Sequence, residues 1–230
     1  DEVFEKTGPD NIVAAYVVGS AVTPDYSSSS DINTLFFVCG TIPEFIRSIA
    51  PLGKRYGRKD IRAPLVMTEE YLSQSLDVFP MEFLDLKTVN TPVFGRDVLA
   101  GAEIDKKDLR LQCERELKGR LVNLRQGFIE TAGEEKLIRQ MLIAMLSSFI
   151  PVFRGLLFLK DKPLSRAKAE VLSSVGHSFD LDMSPFHTTL SVKKGEVKWA
   201  KGAAEKSFQA LYDIVETLAG AADAMAKESE

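Results

Sequence analysis

Asp31-Ile32-Asn33 opens an apolar run, Ile32 to Cys39, and residues two apart on a strand share a face. Asp31 and Asn33 then point one way while Ile32 points into a core, which is a geometry for holding a metal ion at a sheet edge. An earlier apolar run, Ile12 to Val18, ends at Gly19-Ser20. A glycine there lets a phosphate approach the backbone, and the hydroxyl adds a donor. The unit Val13 to Val38, VAAYVVGSAVTPDYSSSSDINTLFFV, reads as phosphate in front and cation behind. Asn33 can give a cation a hard carbonyl oxygen but no negative charge. Taken singly, each signal is weak: an Asp after four serines is more often a turn residue than a ligand.

The combination is more specific. An apolar strand, Gly-Ser, a ten-residue spacer from Ala21 to Ser30, then Asp31-Ile32-Asn33-Thr34-Leu35-Phe36 resembles the signature of the nucleotidyltransferase superfamily. That superfamily includes polymerase-beta-like enzymes, kanamycin nucleotidyltransferase and the minimal nucleotidyltransferases. Its pattern is acidic, apolar, acidic, with both acids binding Mg²⁺; here the second acidic position is Asn33. The resemblance implies that Gly19 and Ser20 hold the triphosphate of an NTP, ATP being the expected one, and that Asp31 and Asn33 ligate Mg²⁺ or Mn²⁺. It implies transfer of a nucleoside monophosphate to a hydroxyl acceptor on a small molecule or protein. The alternative is a nucleotide-binding or interaction module that kept the fold after its metal site weakened.

A two-metal site needs a third acid to balance two divalent cations and a triphosphate. The run Met81 to Lys87, MEFLDLK, offers Glu82 and Asp85, which face opposite ways if it is a strand. In the resemblance the first acid of such a segment is the ligand, so Glu82 is preferred. A register shift of one residue would reverse the choice.

The elements that must position these groups follow from periodicity. Strands are expected at Ile12 to Val18, Ile32 to Cys39, Ala63 to Met67 and Met81 to Lys87, with Thr88 to Phe94 continuing the sheet as an edge. Residues 1 to 11 read as the end of a short helix. Thr41 caps a helix with an apolar stripe at Phe45, Ile46, Ile49 and Leu52, and Thr68 caps another reaching about Val78. Beyond Asp105 strand-like alternation stops. Helices are expected over about Lys106 to Glu130, Glu134 to Leu159 with a kink at Pro151, Ser165 to Val175 and Ala200 to Lys227, with a helical turn at Ser184-Pro185-Phe186. The expected fold is α+β: a nucleotidyltransferase-like mixed sheet with flanking helices over residues 1–104, then an all-helical bundle over 105–230.

Composition bounds the partners. The 230 residues carry 29 Lys plus Arg against 33 Asp plus Glu, a net charge of -4 that argues against a general nucleic-acid binder. The basic cluster Lys54, Arg55, Arg58, Lys59 and Arg62 could steer a triphosphate, though a solvated loop is the commoner role for such a run. Two cysteines, Cys39 and Cys113, with no CxxC, suit a reducing cytoplasm. The uncharged stretch Gln140 to Phe153, which no other exceeds in length, has fourteen residues, too few to span a bilayer. Nothing resembles a signal peptide. There is no GxxxxGK[ST], no GxGxxG and no ribonuclease-type Arg-x4-6-His, so His177 and His187 read as packing or surface residues. A homodimer through the apolar helices is the weakest expectation, because such helices bury themselves within a chain first.

Overall fold

The computed structural model describes residues 2–27 and 30–225. Ser28 and Ser29 of the serine loop, and the end of the last expected helix beyond residue 225, lie outside the described residues. The chain forms two compact units, Asp1–Asp105 and Lys106–Glu230.

The first unit is built on a mixed four-stranded sheet in the order β3-β2-β1-β4. Its centre is β1 (Ile12–Val18), whose run IVAAYVV is apolar on both faces because both are covered. β2 (Asn33–Val38) pairs antiparallel to it, with Val18 opposite Asn33 and Tyr16 opposite Leu35. β3 (Leu65–Met67) lies parallel to β2, a pairing that requires a crossover, and α2 (Ile42–Gly57) supplies it. One face carries Ala14, Tyr16, Val18, Leu35 and Phe37 against α3 (Glu69–Ser75) and α4 (Pro80–Thr88), through Leu72 and Phe83. The other carries Ala15, Phe36 and Val38 against Phe45, Ile49 and Leu52 of α2. Partly buried Val3 and Phe4, on α1 (Glu2–Thr7), join that second cluster.

The expected fourth strand at Met81 to Lys87 is a helix, α4. Pro80 occupies its first turn, where the fixed φ suits a helix and the missing N–H costs nothing. Pro80, Met81, Phe83 and Leu84 are its buried residues, a spacing that fits helical periodicity better than alternation. The edge strand does form, as β4 (Asn90–Gly95), antiparallel to β1. It tolerates Pro92 because an edge strand has an unpaired side. Thr68 caps α3 by accepting from the Tyr71 N–H at 3.0 Å. Thr41, expected to do the same for α2, makes no side-chain cap bond, and Ile46 of its expected stripe is exposed.

The second unit is helical: α5 (Lys106–Glu130), α6 (Glu135–Leu159), α7 (Lys168–Phe179), α8 (Ser184–Lys193) and α9 (Ala204–Ala224). The reversal between α5 and α6 uses Ala132 and Gly133 at positive φ. Gly155 allows close approach, since a Cβ there would lie 2.5 Å from Cys113 Sγ on α5. Phe149, Phe153 and Phe186 form an aromatic cluster between α6 and α8. By length and apolarity α6 alone, among the described residues, could cross a membrane, with 56% of its most apolar window buried in the fold. The buried Arg154 lies in its second half and donates to the carbonyls of Ser165 and Arg166. The expected turn at Ser184 is the start of the ten-residue α8, and α7 starts later and runs longer than expected.

Candidate functional site

Gly19 follows β1 directly, with φ +75, a left-handed conformation that favours glycine. Its N–H donates to the Val89 carbonyl at 3.2 Å. Residues Gly19–Val22 then form a single 3-10 turn, closed by the Thr23 N–H and hydroxyl on the Ser20 carbonyl at 3.1 and 3.0 Å. Across the ladder, Asn33 stands opposite Val18, and its Nδ2 would be 3.5 Å from a Cβ placed on Gly19. The structure therefore brings Gly19, Ser20 and Asn33 to one corner of the sheet.

Asp31 begins the same segment. Its Oδ2 forms an ion pair with Arg62 Nε at 2.8 Å. Backbone bonds hold the two together: Ile32 N–H to the Asp60 carbonyl at 2.8 Å, and Arg62 N–H to the Ile32 carbonyl at 3.0 Å, around a parallel bridge between Ile32 and Ile61. Ile32 is half-buried, less enclosed than the expected core position. Arg62 is the last residue of the basic run, which ion-pairs at both ends: Arg55 meets Glu2 at 2.6 Å, and Arg62 meets Asp31.

Glu82 and Asp85 are placed differently from the expectation. Because α4 is a helix, they are i,i+3 neighbours on adjoining parts of one face, not on opposite faces. Glu82 is exposed in the first turn, whereas Gly19 binds Val89 just past the last turn. Seven residues of helix separate the two levels by about 10 Å along the axis. Asn90 fixes the near end of α4 by donating Nδ2 to the Leu86 and Lys87 carbonyls at 2.8 and 3.1 Å. Asn90 and Asn33 both pair with Val18, one from each side. Gly19 is thus met by the carbonyl end of α4, whose partial negative charge favours a cation over a bare anion.

Among the described residues no three His, Cys, Asp or Glu side chains converge on a metal position. Of the expected ligands, Asn33 stands at the corner, while Asp31, two residues earlier in the same segment, meets Arg62. Sequence reasoning missed Arg62 and Asn90 as members of this corner. The basic run was visible, but only the fold brings its last residue to Asp31; Asn90 carried no signal.

No family model matches this chain, and no curated protein matches it in sequence. Among solved structures it is similar to spectinomycin adenyltransferase AAD(9) from Enterococcus faecialis, crystallised with ATP and spectinomycin. The TM-score is 0.53 at 15% identity, covering 93% of this chain and 95% of that one. The chain has a nucleotidyltransferase-like α+β fold with a helical domain.

Proposed function

We propose that this protein binds a nucleoside triphosphate at the corner formed by Gly19, Ser20, Asp31 and Asn33, and that its capacity for two-metal transfer is weakened. The observation that carries this reading is the donor set: Asp31, two residues before Asn33, already meets Arg62, and Asn33 stands beside Gly19 without charge. Such a set fits one magnesium ion arriving with its nucleotide, because Mg²⁺ is commonly held by one or two carboxylates with phosphate oxygens and waters completing the shell. It does not fit a pair of ions, whose charge needs more acids. Bound there, the ion would neutralise phosphate charge. Asp31 and Asn33 would hold it, Gly19 would give the phosphates close approach to the backbone, and Ser20 would donate its hydroxyl. Glu82 as a further ligand would require movement from the far end of α4.

The test is calorimetric titration of ATP and GTP with and without Mg²⁺, beside Asp31→Ala. The expected result is magnesium-dependent binding that the substitution abolishes, with no pyrophosphate release on incubation. Absence of binding to either nucleotide overturns the reading.

A second reading, transfer of a nucleoside monophosphate to a hydroxyl on a small-molecule acceptor, is favoured by one observation. The fold likeness to an adenyltransferase runs over nearly the whole of both chains. Pyrophosphate release that requires both Mg²⁺ and Asp31 would select it.

A further inference from the structure

Thr34 and Phe36 alternate with Asn33 and Leu35 and so face the opposite side of the sheet. There, α2 leaves a cavity of about 400 Å³ beside β2 and β3. That volume lies in the range of small-molecule sites, roughly 300–1,000 Å³. Its walls are mainly apolar, with Phe36, Ile49 and Val66 among them, and Arg62 is the one charged residue among the described residues lining it.

Arg62 faces two sites at once. Its Nε is on Asp31, while its two terminal amino groups have no hydrogen-bond partner among the described residues. The other large polar side chain of the lining, Tyr56, has its hydroxyl engaged by the Glu2 carboxylate. An apolar chamber with one forked cation at its edge matches a ligand with a hydrocarbon body and a single carboxylate, because guanidinium and carboxylate pair through two parallel hydrogen bonds.

We propose that this cavity binds a small apolar monocarboxylate, with its carboxylate on the terminal nitrogens of Arg62 and its hydrocarbon between α2 and the sheet. A carboxylate there draws the guanidinium away from Asp31, so occupancy strengthens magnesium-nucleotide binding at the corner, and the reciprocal effect follows by linkage. This coupling rests on the nucleotide reading; the carboxylate site itself does not.

Octanoate and 3-phenylpropanoate, with their primary amides as uncharged comparators, are titrated calorimetrically into the full chain without nucleotide. The acids are expected to bind at least tenfold more tightly than the amides. Arg62→Gln should erase that preference. Gly53→Phe should abolish binding by filling the chamber, since a Cβ at this lining residue meets nothing within 4 Å. No binding of either acid, equal binding of acid and amide, or acid binding untouched by Arg62→Gln overturns the site. Repeating the titration with magnesium and ATP tests the coupling: tighter acid binding supports it, and unchanged acid binding overturns it while the site stands.

Discussion

Arg62 Nε lies 2.8 Å from Asp31 Oδ2 in an ion pair, so the acid that opens the β2 segment is already met by a cation from the segment after α2. Both side chains are more than a third exposed, at 66% and 37%, and a pair of this kind contributes about 0–1 kcal/mol. The pair is therefore cheap to break, and its consequence is for binding more than for stability. Arg62→Gln is expected to change unfolding free energy in urea by less than about 1 kcal/mol while tightening magnesium-dependent ATP binding severalfold. Weaker ATP binding in the variant would mean that Arg62 serves the triphosphate and not Asp31.

Asn33→Asp restores a second charge at the corner. It is expected to raise magnesium-dependent nucleotide affinity about tenfold, equivalent to ~1.4 kcal/mol, read by calorimetry, and to give measurable pyrophosphate release. No gain in either would count against a geometry that only lacks charge.

Two left-handed glycines should respond differently to alanine. At Gly19 the added Cβ meets Asn33 Nδ2 at an ordinary 3.5 Å, so the cost is the backbone conformation, about 1–2 kcal/mol. At Gly95 the Cβ would fall 2.0 Å from the Val13 carbonyl oxygen, inside the β1–β4 ladder. Gly95→Ala should cost several kcal/mol, enough to prevent folding or detach β4. Equal losses in denaturant midpoint would contradict the close approach at Gly95.

The buried Tyr16 hydroxyl accepts from the Val98 N–H at 2.6 Å and donates to Asp97 Oδ1 at 3.1 Å. It ties the central strand to the segment after β4. Tyr16→Phe leaves the buried Val98 donor without that acceptor and is expected to cost about 1–3 kcal/mol, measured by thermal unfolding.

Burial holds His187 below the ordinary histidine range, against a smaller upward pull from Asp182, and its Nε2 lies 3.3 Å from Ser173 Oγ. As pH falls below about 6.5, the unfolded chain takes up a proton that the folded chain resists, so stability should fall until the folded group also titrates. His187→Gln should flatten stability against pH over that window. An unchanged slope would assign the dependence to other groups.

The sequence by itself determined the elements whose signals are local. β1 and α5 have the expected bounds, because an unbroken apolar run and a long helical stripe leave little choice of period. The corner of Gly19, Ser20 and Asn33 was also legible, since a strand end, a loop and a strand start fix who meets whom once the two strands pair. Met81 to Lys87 was not legible: four apolar residues in seven satisfy either period, and tertiary packing on the sheet face selected the helix. With that choice Glu82 and Asp85 moved onto one helical face, and Glu82 to the far end of α4. Only the tertiary structure brought Arg62 to Asp31 and Asn90 to the last turn of α4. Those contacts depend on strand order and on where a crossover returns, and no local periodicity encodes either.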